Sequence, residues 1–158
     1  MRRYYFSQLA FLVAIAFCAL APIASVARAD IDGDESSVEK DRAHFGAHKK
    51  LRKNLKYNVY DLESDRHTVH EFVDLTGRVF AITWQGAMPP NLPTLLGNHH
   101  GEFLAKRVTT PKTRGQRNFQ IITTSKIQVV QAGHMGHWTG SVYLIGRLPP
   151  GLTLDQLE

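Results

Sequence analysis

From Tyr57 onward, apolar and polar residues alternate with a period of two, which is the pattern of half-buried strands. Residues 58–62, 68–75 and 78–85 fit it. In the second segment Val69, Val73 and Leu75 share a face. In the third, Phe80, Ile82 and Trp84 share one face, and Val79, Ala81 and Thr83 share the other. Ser64-Asp65-Arg66 turns the chain between the first two, and Thr76-Gly77 supplies a tight hairpin between the second and third. The period changes after Gly86-Ala87-Met88-Pro89-Pro90. Asn91 is placed to cap a helix with Pro93 in its first turn, and Leu92, Leu95, Leu96, His99 and Phe103 recur at helical spacing. An amphipathic helix to about Arg107 follows. Its Gly97, Gly101 and Ala105 form a small-residue stripe that fits close packing on the protein's own sheet. A polar loop over 108–118 leads to three more strands at 119–124, 127–131 and 138–145, closed by Leu148-Pro149-Pro150-Gly151.

The order is strands, one helix, strands. Without alternating βα units a parallel sheet is disfavoured. The predicted fold is α+β, a mainly antiparallel sheet with one principal amphipathic helix packed on it.

Upstream of this domain, 30–56 is polar and uneven in charge. Ser36 and Glu39 have capping-box spacing, Val38, Arg42 and Phe45 follow at helical spacing, and Gly46 ends the element. A short helix is predicted there. Lys49, Lys50, Arg52, Lys53 and Lys56 then read as a basic linker. The chain thus divides into 1–29, the polar segment 30–56, a single domain at 57–151 and a tail at 152–158.

Residues 1–29 have the anatomy of a secretory signal peptide. Arg2 and Arg3 give a positive start, residues 6–23 are almost continuously apolar, and Ala27-Arg28-Ala29 places small residues before a cut at Asp30. Phe17 before Cys18 does not fit a lipoprotein signal, and Tyr4-Tyr5-Phe6 fits twin-arginine export poorly. The chain is expected to be exported to a periplasm or beyond, with no stable membrane anchor after cleavage. Removing this segment changes the charge. The formal net charge of +5 loses three arginines, so 19 basic residues fall to 16 against 14 acidic ones. The near-balance argues against a general nucleic-acid partner. Cys18, the single cysteine, leaves too, so the mature chain has neither a disulfide nor a thiolate.

Histidine is the suggestive residue type, with eight copies, all after residue 29. His134 and His137 lie three apart in the glycine-rich Gly133-His134-Met135-Gly136-His137 turn, a spacing that could converge on zinc or copper, with Met135 as a soft donor. No third ligand is evident in the sequence. His67 and His70 are also three apart, but on a strand they point to opposite faces. His99 falls on the apolar stripe of the helix, where a hydrogen-bonded core histidine is expected. His70-Glu71 offers acid–base groups without a nucleophile. Asp30, Asp32 and Asp34 resemble the start of a calcium loop, but Glu35 stands where glycine is required, and a solvated acidic tail fits better. Trp84, Gln85 and Trp138, at strand ends, are candidate contacts for a partner or ligand. No nucleophile elbow, zinc helix or phosphate loop is present. The reading is a non-enzymatic binding module for an envelope protein or polymer, with a zinc or copper protein as the alternative.

Several segments resemble a family of small exported bacterial proteins catalogued as domain of unknown function 2844. They are Ser37-Val38 through Asp41-Arg42-Ala43, Thr68-Val69-His70-Glu71, Gly77-Arg78-Val79-Phe80-Ala81-Ile82-Thr83-Trp84-Gln85-Gly86, Leu95-Leu96-Gly97, Gly133-His134-Met135 and Leu148-Pro149-Pro150-Gly151. The resemblance implies export and a single domain, with Trp84-Gln85-Gly86 and Gly133-His134-Met135 as recurring features. It implies no activity.

Overall fold

The alternating segments pair into one antiparallel sheet. In the computed structural model, which describes residues 30–110, 118–153 and 156–157, the strands are β1 His48–Lys53, β2 Tyr57–Glu63, β3 His67–Asp74, β4 Val79–Gly86, β5 Phe119–Thr123, β6 Ile127–His134 and β7 His137–Leu144. Their order across the sheet is β1-β2-β3-β4-β7-β6-β5. The register sorts the side chains into two faces. Tyr60, Glu71, Ile82, Val142, Val129 and Ile122 stand opposite one another in one cross-strand row. All six are buried. The neighbouring row, Asp61, His70, Thr83, Ser141, Val130 and Ile121, belongs to the other face. Only Asp61 of that row is buried.

The buried face is covered by helices α1 Glu35–Phe45, α2 Leu92–Leu96 and α3 His100–Thr109. Ile31, Val38, Leu95, Leu96 and Phe103 complete its core. Asp34, not Ser36, caps α1: its carboxylate accepts from the Ser36 hydroxyl and the Ser37 N–H. Glu39 is drawn instead to Arg42 and Lys49, each at 2.5 Å. Gly46 ends the helix in the left-handed region, as its position suggests.

Three sequence expectations change. The basic linker is an edge strand, β1, tied to the fold by Lys49–Glu39 and by Arg52–Asp61. All six β1 residues are exposed, and the charges blunt a sheet edge that would otherwise invite pairing. The single long helix is two, joined by a 3₁₀ turn over Gly97–His99. Ile31 N–H takes the Leu95 carbonyl that a continuous helix would give to residue 99, and Gly97 turns to φ 44°. Leu75 and Phe80 leave the faces that simple alternation assigns them. Leu75 is 71 % exposed in the β3–β4 turn. A register shift after Phe72 lets Phe80 pack against Tyr57 and Phe72 instead of lying beside Ile82. The polar loop falls mostly on 111–117, outside the described residues.

Described residues of the C-terminal segment pack against the core and border the second face. Leu148 and Leu152 pack against the core, Leu157 is buried, and Lys56 Nζ donates to the Pro150 carbonyl. Among the described residues no helix is long and apolar enough to cross a membrane.

Candidate functional site

The part of the second face left open by this tail forms a cleft of about 450 Å³. His70 from β3, Thr83 and Gln85 from β4, Thr139, Ser141 and Tyr143 from β7 and Val130 from β6 line it, with Leu157 at one side. These strand residues face one way because they alternate with the helix-covered positions. Thr83, Gln85, Thr139 and Ser141 form no side-chain hydrogen bond with another described residue, whereas Tyr143 donates to Gln128 Oε1 at 2.7 Å. Four uncommitted polar groups therefore converge on the cleft. His70 differs: its Nδ1 lies 2.6 Å from Asp61 Oδ1, and Arg52 holds the same carboxylate through Nε and Nη2 at 2.6 and 2.7 Å. Burial alone would raise the Asp61 pKa, but the hydrogen bonds from Arg52 and His70 outweigh it and hold the carboxyl below its ordinary range. The carboxylate partner holds the imidazole of His70 in one orientation at the cleft. Among the described residues the cleft thus presents hydroxyls, an amide and an imidazole, with no unpaired Lys, Arg, Asp or Glu lining it.

The sequence candidates distribute unevenly around this site. Gln85 is exposed in the cleft. Trp84 is 2 % exposed on the helix-covered side, its indole lying over Gly140 on the neighbouring strand, where a Cβ would meet Cζ2 at 2.3 Å. Trp138 is half-buried and stands opposite Gly133 in the same manner, a Cβ there meeting its ring at 2.8 Å. Both tryptophans thus fill space that a facing glycine leaves empty. His134 and His137 are direct partners across the β6–β7 turn, with ring centroids 5.7 Å apart. No third His, Cys, Asp or Glu joins them into a metal-binding group among the described residues. His70 and Glu71 lie on opposite faces and cannot act on one substrate. His67 packs edge-on against Phe45, away from His70. The three early aspartates do separate tasks instead of forming a tail. Asp32 pairs with Arg78 at 2.6 Å, Asp34 caps α1, and Asp30 accepts from the Asn98 N–H at 3.2 Å.

Beneath α1 lies a group that motif reading missed. Asp41 projects from α1 onto Glu71 of β3, and the two carboxyls lie against each other with both residues almost wholly buried. Burial pushes Asp41 up to about 6, against the opposing effect of the adjacent Glu71 carboxyl, and the Asp30 charge raises it further. Burial likewise places Glu71 well above the ordinary carboxylate range, reinforced by Asp41. The available signal was Glu71 itself, an acid at an inward position between Val69 and Val73.

No curated protein and no solved structure matches the chain. A family profile, described as a protein of unknown function (DUF2844), matches residues 27–157. The match covers nearly every element described above, and the chain belongs to that family.

Proposed function

We propose that the chain is an exported, non-enzymatic binding module that holds a neutral, hydroxyl-bearing segment of an envelope polymer in the cleft on the open face. The observation that supports this reading is the convergence of Thr83, Gln85, Thr139 and Ser141, none hydrogen-bonded through its side chain to another described residue, on one concave surface. Ligand pockets fix orientation with a few such groups on a preformed wall. Here the wall is a sheet, so the groups are held at strand spacing without loop ordering on binding. The neutral hydroxyls and amide among the described lining residues favour a sugar-like or amide-bearing chain. The Asp61 hydrogen bond fixes the orientation of the His70 imidazole beside the ligand. The signal peptide anatomy supports an envelope location.

Calorimetry with soluble cell-wall glycan fragments tests the reading, using wild type and a Thr83→Val/Thr139→Val variant. Valine keeps the shape of threonine and the strand preference while deleting the hydroxyls. Affinity is expected to fall about tenfold, the equivalent of one to two lost hydrogen bonds. Equal affinity for both proteins contradicts the proposal, as does turnover of the fragment that disappears in His70→Ala.

A second reading rests on the imidazole pair. His134 and His137 pair across a two-residue turn with ring centroids 5.7 Å apart, and this juxtaposition supports a zinc or copper site completed by solvent or by a partner. Metal content after gentle purification, compared with His134→Ala/His137→Ala, tests it. Stoichiometric metal lost in the double variant supports this site, and metal-free protein overturns it.

A further inference from the structure

The two edges of the sheet are built differently. β1 closes one edge with His48, Lys49, Lys50, Arg52 and Lys53, and like charges there repel a second such strand. Among the described residues β5 is the last strand at the other edge, and its sequence, Phe119-Gln120-Ile121-Ile122-Thr123, carries no charge. The hydrogen bonds flanking the β5–β6 ladder fix which way its backbone points. Thr124 N–H donates to the Ile127 carbonyl at 2.9 Å, and the Asn118 carbonyl accepts from Gly133 N–H at 3.0 Å. Alternation therefore turns Gln120 and Ile122 toward β6 and leaves the N–H and C=O groups of Phe119, Ile121 and Thr123 pointing outward. The side chains of Phe119 and Ile121, on the open face of that edge, are 42 and 46 % exposed. On the other face α3 packs against β5, and Glu102 in its first turn accepts from the N–H of Ser125, just past the strand's end, at 2.8 Å. Leu104 and Val108, one turn apart on α3, are exposed as well. Helix and strand match in length, at about 15 and about 17 Å.

We propose that β5 is a dimerisation edge, at which a second copy of this chain pairs antiparallel about a two-fold axis through Ile121. Ile121 then faces the partner's Ile121, and Phe119 faces the partner's Thr123. The three outward N–H groups of each chain all find carbonyls on the other, six hydrogen bonds in all. On the open face the join is apolar against apolar at its centre. A second copy fits this edge better than a lone extended peptide, because the exposed apolar side chains lie on both layers. Phe119 and Ile121 belong to the sheet, Leu104 and Val108 to the helix, and a copy brings a strand backed by a helix on the matching side. The β1 edge of another copy is no substitute. It would set lysines and an arginine against Phe119 and Ile121, and would leave free edges that run on into a filament. The two-fold keeps both open faces on one side of the joined sheet. The inference rests neither on the cleft reading nor on export.

Sedimentation velocity of the full chain as purified tests the assembly. The mass is expected to rise from one chain to two as protein is concentrated through the micromolar range. Ile121→Lys changes an exposed side chain and sets two ammonium groups opposite each other at the two-fold, so it is expected to hold the protein at one chain with unchanged circular dichroism. One chain at every concentration in wild type, or two chains in Ile121→Lys, overturns the proposal. Amide hydrogen exchange of wild type, followed residue by residue, needs no substitution. Exchange at Phe119, Ile121 and Thr123 is expected to slow by at least about tenfold from dilute to concentrated protein, whereas Gln120 and Ile122, already bonded to β6, change far less. A dimer in which those three amides exchange as fast as in the monomer has its interface elsewhere and overturns the proposal. Full protection of the three in dilute, monomeric protein overturns it too, because another segment of the same chain then covers the edge.

Discussion

Gly140→Ala puts the central pairing of the sheet to a quantitative test. Gly140 of β7 lies opposite Trp84 of β4, and an added Cβ would meet Cζ2 at 2.3 Å, Cε2 at 2.5 Å and the Val130 carbonyl oxygen at 2.7 Å. Carbon atoms rest comfortably about 3.5–4.0 Å apart, so the indole must move by about 1 Å. It is 2 % exposed and packed within the sheet core. Overpacking of this kind costs about 1–3 kcal/mol, partly offset by the about 0.4–1 kcal/mol gained when alanine stiffens the unfolded chain. A net loss of about 1–2 kcal/mol lowers Tm by about 3–10 °C in a domain of this size. Trp84→Phe removes the ring atoms that the new methyl strikes. In Gly140→Ala/Trp84→Phe the loss is therefore expected to be smaller than the sum of the two single losses by at least about 1 kcal/mol. Thermal melts followed by far-ultraviolet circular dichroism suffice, since the signal does not depend on tryptophan. Gly140→Ala melting within about 1 °C of wild type, or a strictly additive cycle, refutes the packing argument.

Further consequences concern pH, the edge strand and the helix break. Burial, aided by Arg66, lowers the His67 pKa below 6.5, so the unfolded chain takes up the proton first. Stability is accordingly present above about pH 6.5 and falls as pH drops toward the folded value. His67→Phe, which keeps the contact with Phe45, is expected to flatten that limb in melts between pH 7.5 and 5.5. Asp61→Asn removes the charge that Arg52 and His70 share, and is expected to destabilise by about 1–2 kcal/mol while accelerating amide exchange in β1. Unchanged β1 exchange would show that the edge is held by its ladder alone. Gly97→Ala forces a Cβ into the Asp30 carboxyl at φ 44°, and is expected to lower stability by about 2 kcal/mol or more in urea titration.

The strands were legible because each buried face carries β-favouring residues at every second position, as in Val69, Val73, Ile82 and Trp84. The α+β class followed from the order of segments alone. The basic stretch at Lys49–Lys53 was not legible as a strand, because an exposed edge buries nothing and leaves no hydrophobic period. The break at Gly97 was hidden as well: the apolar spacing continues across it, and what interrupts the helix is Ile31, about 65 residues upstream in the chain. The cleft followed the same rule. Thr83, Thr139 and Ser141 are unremarkable in sequence and gain meaning only when β4 pairs with β7, a partner separated from it by the helices and two strands. Of the candidates chosen for their chemistry, Gln85 is exposed in the cleft, whereas Trp84 borders it with its ring buried, because Gly140 leaves room for that ring. Asp41 and Glu71 carried a signal, a charge on an inward face, but only the packing of α1 on β3 identifies one as the partner of the other.

The central claim is that the open-face cleft holds a ligand. Amide chemical-shift mapping of isotope-labelled protein titrated with soluble cell-wall glycan fragments tests it most directly. The account predicts shifts concentrated on His70, Thr83, Gln85, Thr139 and Ser141, saturating with ligand and leaving α1 and the β6–β7 turn unmoved. Saturating shifts elsewhere on the surface, or none with these fragments at millimolar concentration, would contradict it.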